Sequence, residues 1–301
     1  MKAGKTGTAI HGRSEETQLP GIVGFVTHQE AWQGTPESGR VPTLIDTSTP
    51  NVARMYDYYL GGKDNFEADR VAAEQVLVQM PGQRRSALEN RRFLRRAVEF
   101  LAGEAGIDQF LDIGVGLPTQ GAVHEVAHES NPQARVAYVD HDPVVVSHAN
   151  ALLATPNLSV VVQEDIRRPR ELLANPVIRQ HLDFSRPVAV VLSAVLHFVS
   201  DDDDPDAITA VLRDALAPGS YLQLTHFCDE SPEARANADV LKRSLGRGQV
   251  RSREEINKFF DGLDLVQPGV VFLPYWRPDV PVEDPPPAGS MLMLVGVAGK
   301  R

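Results

Sequence analysis

The residues best suited to chemistry in this chain lie at the ends of apolar runs between positions 110 and 166. Phe110-Leu-Asp-Ile-Gly-Val-Gly-Leu-Pro-Thr119 reads as a buried strand that ends on an acid and turns through Gly114 and Gly116 into a helix. Glycine lets the backbone turn tightly there and lets a ligand approach the amides. Asp140 closes the next apolar run, at the offset of roughly 20 residues or slightly more expected of a ribose-binding carboxylate. Asp165-Ile166 follows the third run and offers a carboxylate for an exocyclic amino group beside an apolar contact for a ring face. In an open α/β sheet these loops meet at the carboxyl edge, beside the switch in strand order, around a crevice of nucleoside size.

Which nucleoside fits follows from the loop itself. A dinucleotide fingerprint needs a third glycine where Thr119 stands, and Pro118 removes an amide near the position of a pyrophosphate. Asp112 would repel a diphosphate but would receive an ammonium. S-adenosylmethionine (SAM) carries an ammonium, a sulfonium and a ribose without any phosphate, so the expected cofactor is SAM. A nicotinamide oxidoreductase ranks lower.

The surrounding pattern supplies the elements that must hold these groups. Residues 1–47 are rich in Gly, Thr, Ser and Glu without periodicity, and a disordered tail is expected. Thr49-Pro50 is expected to open a helix carrying Val52, Met55, Tyr56, Tyr59 and Leu60 on one face, stopped by Gly61-Gly62. A second helix is expected over Phe66 to Met80, and a third from a capping box, Ser86 with Glu89, with Leu94, Ala97, Val98 and Leu101 on one face. Residues 48–106 thus form a helical cap ahead of a Rossmann-like domain, 107–301. Strands follow at Phe110–Ile113, Val136–Val139, Leu158–Val162, Val188–Leu192 and Tyr221–Phe227. The helices between them fall at Gln120–Ser130, after Asp142-Pro143, at Arg170–His181 and after Asp204-Pro205. That alternation predicts a parallel sheet with right-handed crossovers. Ser252 with Glu255 opens a further helix. Leu263–Phe272 and Met291–Val297, joined without a crossover helix, predict a closing antiparallel hairpin. The whole is an α/β, mostly parallel seven-stranded sheet.

Other motifs compete less well. His124-Glu-Val-Ala-His128 fits the H-E-x-x-H zinc pattern. On a helix, however, both histidines point away from the stripe of Ala122, Val123, Val126 and Ala127, toward solvent, and no third ligand is evident; no metal is expected. Gly61-Gly-Lys63 lacks the upstream glycine of a phosphate loop, since Asp57 stands there. Asp201 to Asp204 reads as a helix cap rather than a cation site. His197, after the fourth strand, faces the place of a methyl acceptor and is the candidate general base for a hydroxyl.

Composition sets the outer bounds. The 301 residues are 42% hydrophobic and 23% charged with a net charge of −10, which disfavours nucleic acid as a partner. The only dense basic run lies between Arg84 and Arg96. The Asn/Asp-Pro-Pro-Tyr/Phe motif of amino-directed DNA methyltransferases is absent. Cys228 is the single cysteine, and no apolar run nears the roughly 20 residues of a membrane span. A cytoplasmic protein is expected; oligomeric state is open.

Taken in order, five stretches resemble an actinobacterial family of SAM-dependent methyltransferases formerly described as a domain of unknown function. They are Asn51-Val-Ala-Arg-Met-Tyr-Asp-Tyr-Tyr-Leu-Gly-Gly-Lys-Asp-Asn-Phe66, Glu89-Asn-Arg-Arg-Phe93, Phe110 to Gly121, Tyr138-Val-Asp-His-Asp-Pro143 and Leu192-Ser-Ala-Val-Leu-His197. The resemblance spans most of residues 49–301 and implies a class I methyltransferase fold with SAM over the Gly114–Gly116 loop. It also implies that Asp140 holds the ribose, Asp165 and Ile166 the adenine, and that Ser193 lies beneath the ligand; Thr119 and His141 fall in the same stretches. The helical cap would then be a lid with Tyr58, Tyr59, Lys63 and Asn65 near the ligand and Arg91 on its carboxylate. The expected function is methyl transfer to a small-molecule acceptor, the alternative a non-catalytic SAM sensor.

Overall fold

Three helices precede any strand in the computed structural model, which describes residues 46–118, 121–245 and 248–301; these form one compact unit. The expected tail, 1–47, lies almost wholly outside the described residues. Helix α1 (Val52–Tyr59) is capped by Asn51, not Thr49. The Asn51 side-chain oxygen accepts from the amides of Ala53 at 2.8 Å and Arg54 at 3.2 Å, two of the donors a helix start leaves unmet. Gly61, at φ +80, ends the turn after α1. Helix α2 (Glu67–Gln79) is tied to α1 by a buried ion pair in which Arg54 Nε meets Asp69 at 2.7 Å. The same carboxylate accepts from the Asn51 and Phe66 amides, each at 2.8 Å.

Helix α3 (Gln83–Glu99) begins a turn earlier than Ser86 and Glu89 suggested. Ser86 is buried within the helix, and Glu89 spends its carboxylate on Arg85 and Arg92. The expected stripe of Leu94, Ala97, Val98 and Leu101 is buried.

The sheet follows. Its strands are β1 (Gln109–Ile113), β2 (Arg135–Asp140), β3 (Ser159–Gln163), β4 (Ala189–Leu192), β5 (Tyr221–Phe227), β6 (Asp264–Leu265), β7 (Val271–Phe272) and β8 (Met293–Gly299). They run in the order β3-β2-β1-β4-β5-β8-β6, with β7 also on β8. The first five are parallel and buried in β1 and β4 along their whole length, as strands covered on both faces must be. Strand β8 is antiparallel to β5, β6 and β7. Among the described residues the sheet has eight strands rather than seven because the single strand expected over 263–272 breaks. Pro268 offers no amide to a ladder, and Gly269 takes φ +89, so β6 and β7 pair with β8 as separate pieces.

Between the strands lie α4 (Val123–Ser130), α5 (Pro143–Leu152), α6 (Pro169–Ala174), α7 (Pro176–His181), α8 (Pro205–Ala215), α9 (Pro232–Leu245) and α10 (Arg253–Lys258). Asp142 caps α5 through the Val144 amide at 2.8 Å, Asp204 caps α8 through Ala207 at 3.0 Å, and Ser252 with Glu255 opens α10. The helix expected over 170–181 is two, because Asn175 and Pro176 start a new one. Helix α9 was not expected at all. The N-terminal helices are fastened to the far end of the chain: Arg96 donates to the carbonyls of Trp276 at 3.0 Å and Leu273 at 2.9 Å, and Phe93 meets the Trp276 ring edge-on at 5.3 Å.

Candidate functional site

A single cavity runs along the carboxyl edge of the sheet from the end of β3 to the start of β8, roofed by α1 and α3. Parallel pairing places its key groups level. Asp112 pairs with Tyr138 of β2 and with Val191 of β4; Asp140 ends β2 opposite Gln163 of β3. Asp165 and Ile166 follow β3, and Ser193 follows β4. The cavity therefore straddles the switch point between β1 and β4, where connections leave in opposite directions and open a crevice.

Of the residues singled out from sequence, Tyr59, Arg91, Asp112, Gly114, Gly116, Asp140, His141, Asp165, Ile166, Ser193 and His197 all line this cavity. Lys63, Asn65 and Tyr58 do not. Asn65 is buried but gives its amide to Asp57 at 2.8 Å and to the Gly62 carbonyl at 3.1 Å, which holds the loop after α1. Lys63 is exposed on that loop, and Tyr58 packs under Arg84, whose guanidinium stands 4.7 Å from its ring. Thr119 lies outside the described residues.

The glycine loop is tight for stated reasons. Gly114 takes φ +78, and a β-carbon on it would fall 2.4 Å from Val195 in the loop after β4. Gly116 takes φ +64, but a β-carbon there would meet only Ala53 at 3.9 Å. Asp140 braces the loop: its carboxylate accepts from the Gly116 amide at 3.1 Å and the Asp142 amide at 3.0 Å, with His141 Nδ1 at 3.3 Å. Arg91 reaches down from α3 to donate to the Gly121 carbonyl at 2.9 Å.

Electrostatics divide the cavity. Burial pushes the Asp112 carboxyl up to about 7, the nearby Arg91 guanidinium opposing the shift and the Asp140 charge adding to it. Burial also works against charge on Asp165. There, however, Arg167 wins, clasping the carboxylate through Nε at 2.9 Å and Nη2 at 2.5 Å and leaving its pKa lowered.

Across the switch point the groups differ. His197 is fully buried against Phe198 and Phe227, with ring centroids at 4.4 and 4.2 Å. Burial holds its pKa well below the ordinary histidine value, and His226 and Arg251 push the same way.

Several lining residues carried no signal that sequence reasoning used. Asn90 donates to the Tyr56 hydroxyl at 3.0 Å and accepts from Ser193 at 3.4 Å, linking α1, α3 and β4 across the roof. Asn51 donates to the Asp142 carboxylate. Gln83, Phe227 and Met293 line the far end. Tyr56 and Asn90 stood within resembling stretches, and Asn51 beside the expected helix start. Gln83, Phe227 and Met293 reach the cavity only through tertiary packing.

The histidines of the H-E-x-x-H motif are not solvent-facing as expected. His124 Nδ1 lies 2.7 Å from the Tyr138 hydroxyl, and His128 Nε2 2.9 Å from the Ala134 carbonyl, so both are half-buried and occupied with structural hydrogen bonds. Among the described residues no His, Cys, Asp and Glu side chains group as a metal site, and Asp201 is bound at 2.6 Å to Arg251.

The fold and this edge define an α/β nucleoside-binding protein of the class I methyltransferase type. A family model described as S-adenosyl methyltransferase matches residues 38–301, and the chain belongs to that family. Among solved structures it is similar to a candidate methyltransferase from Thermobifida fusca YX, at 48% identity and TM-score 0.82 over 85% of this chain and 97% of the other. It is also similar to a DUF574 family protein from Streptomyces avermitilis MA-4680, at 39% identity and TM-score 0.81 over 85% and 99%. No curated protein matches the sequence. Membership makes the chain a SAM-dependent methyltransferase and favours the enzyme over the non-catalytic sensor. The cavity fits that cofactor: the Gly114 cradle would be filled by any side chain, and the buried Asp112 is a carboxyl whose ionisation an ammonium would favour.

Proposed function

We propose that the chain methylates a small-molecule acceptor, with SAM held over β3, β2 and β1 and the acceptor brought in on the His197 side. The observation that carries this reading is the partition of one cavity at the switch point into a carboxylate-rich half and an uncharged half. In the first half Asp165 and Ile166 are assigned to the adenine, Asp140 and His141 to the ribose, and Asp112, Gly114 and Gly116 to the amino-acid end. Arg91 is assigned to the carboxylate and Ser193 to the floor beneath. Asp165 reaches an adenine amino group only by sharing its carboxylate with Arg167, whose half-exposed side chain is free enough to shift. Tyr59 belongs to the roof. Residues 48–106 act as a cap on the domain 107–301.

When bound, SAM would supply an electrophilic methyl on a sulfonium, with the neutral thioether as its leaving group. What the chain contributes is alignment and exclusion of water, which can supply much of the rate of such a displacement. His197 is assigned to accept the proton of a hydroxyl acceptor, working against the burial and the His226 and Arg251 charges that disfavour its protonated form. A small acceptor is supported by the helical roof and by the acidic balance of the chain, which offers little to a polyanion. Among the described residues no helix is long and apolar enough to cross a membrane. With its one thiol, Cys228, free and buried, the chain is assigned to the cytoplasm.

The test is transfer of label from methyl-labelled SAM in a metabolite extract. Label is expected in the small-molecule fraction; label confined to protein or nucleic acid, or S-adenosylhomocysteine never formed above background, contradicts the reading. His197→Ala is expected to lower kcat about a hundredfold while S-adenosylhomocysteine affinity stays unchanged; an unaltered kcat would remove His197 as the base.

A further inference from the structure

The cavity continues well beyond what an adenosine needs. Strands lie about 4.8 Å apart, so β3 to β1 already span roughly 10 Å, and the lining goes on past β4 to Phe227 at the end of β5 and its register partner Met293 at the start of β8. Helix α3 covers this second lobe at its first residue. Gly82, just before Gln83, packs so closely on Gly289 that a β-carbon on Gly82 would fall 2.6 Å from the Gly289 Cα, and Gly289 lies just ahead of β8.

Two properties of the lobe point to what it takes. The first is charge. Arg91, Asp112, Asp140, Asp142, Asp165 and Arg167, the carboxyl and guanidinium groups of the lining, all belong to β1, β2 and β3 or contact the loops after them. Beyond β4 the walls are Phe198, Phe227 and Met293, and an ion placed there would lose its hydration without meeting an opposite charge. Arg251, a cation behind the wall, is spent on His226 Nε2 at 2.7 Å and Asp201 at 2.6 Å and does not line the cavity.

The second property is unmet hydrogen bonding. Tyr59, Gln83 and His197 each line the cavity, each is more than nine-tenths buried, and each holds a polar atom without a protein partner: the Tyr59 hydroxyl, Gln83 Oε1 and His197 Nδ1. Buried polar atoms are nearly always satisfied, and these three, on side chains that line the cavity, would meet ligand groups after a small side-chain turn. Gln83 Oε1 can only accept, so it calls for a donor, whereas the tyrosine hydroxyl serves either way.

We infer that the lobe over β4, β5 and β8 is the acceptor subsite and selects an uncharged, largely apolar molecule that presents one hydrogen-bond donor to Gln83 Oε1 and a hydroxyl near His197. This deepens the methyltransferase reading and rests on it. The Tyr59 hydroxyl is a second polar point on the same molecule.

Calorimetry on the whole chain saturated with S-adenosylhomocysteine tests it. The probes are a ring-matched set of three charge states, 2-naphthol, 2-naphthoate and 2-naphthylmethylammonium, and on a second ring system a neutral and anionic pair, 7-hydroxycoumarin and coumarin-3-carboxylate. The neutral members are expected to bind at least about tenfold tighter than their charged partners. Gln83→Leu and Tyr59→Phe should each weaken them by roughly threefold to tenfold, with S-adenosylhomocysteine affinity unchanged as the control for folding. Gln83→Glu keeps an acceptor and adds a negative charge, so it should narrow the gap between 2-naphthol and 2-naphthylmethylammonium while leaving the cofactor product bound. Charged probes binding as tightly, no neutral probe binding in either ring system, or a loss confined to S-adenosylhomocysteine in the Gln83 and Tyr59 variants would overturn the proposal. Failure of the unaltered chain to bind S-adenosylhomocysteine would instead overturn the methyltransferase reading beneath it.

Discussion

Gly114 and Asp112 stand two residues apart and are constrained by different physics. At Gly114 both the positive φ and the proximity of Val195 exclude a side chain, whereas at Gly116 only the φ does. Gly114→Ala is therefore expected to reduce S-adenosylhomocysteine affinity by more than about tenfold, and Gly116→Ala by less, since a left-handed alanine alone costs about 1–2 kcal/mol; equal effects in a binding titration would contradict this. Asp112 makes a claim about pH. Its folded pKa, about 7, lies above the unfolded value of 3.8, so the folded state holds its proton more tightly. Stability from this group is greatest below the unfolded value, falls as pH rises between the two, and levels off above the upper one. Asp112→Asn removes that penalty. The variant should melt roughly 5 °C or more above the unaltered chain at pH 8, with the gap closing near the unfolded pKa; melts that stay parallel across pH would refute the assignment. The variant should also bind S-adenosylhomocysteine more weakly at pH 8, where the ionised carboxyl is available to an ammonium.

At the scale of elements, legibility followed local chemistry. The caps at Asp142, Asp204 and Ser252 were readable because one side chain and one proline or acid decide them. Ser86 with Glu89 misled: the same pattern occurs inside α3, where burial of Ser86 and two arginines on Glu89 override its use as a start signal. Helix α9 was missed although Ser231 caps it through the Ala234 amide at 2.9 Å and Ala234, Ala238, Leu241 and Leu245 keep helical spacing, because half of that stripe is alanine and gives little hydrophobic contrast. Likewise Asn51 outcompetes Thr49 by reaching two amides at once. The α1–α2 corner depends on Asp69, which neutralises the buried Arg54 and receives two backbone amides. Asp69→Ala leaves that guanidinium unpaired and should cost about 3–5 kcal/mol in urea unfolding, whereas Asn51→Ala, losing a cap, should cost about 1 kcal/mol. Comparable values for the two would show that the ion pair is not what holds the corner.

For the whole molecule, the strand–helix alternation was enough to place the fold and to bring the residues proposed for the cofactor to one edge, because loops after consecutive parallel strands must share it. Of the half proposed for the acceptor, only His197 and Tyr59 were legible. Gln83, Phe227 and Met293 are far apart in the chain and meet only because β8 folds back antiparallel on β5 while α3 is anchored by Arg96 to the segment after β7. That same anchoring implies that the roof is not a free flap. Arg96→Met should release it, lowering the melting temperature by several degrees and raising amide exchange in α3 ahead of β1 and β4; unchanged exchange in α3 would show that the anchor does not hold the roof.

The most direct test of the central claim is a crystal structure of the chain grown with S-adenosylhomocysteine. The expected density runs along the sheet edge, with adenine on Ile166, ribose on Asp140 and the ammonium on Asp112, leaving the lobe beside His197 open. Density for the ligand anywhere else, or none in that cleft at saturating concentration, would contradict the account.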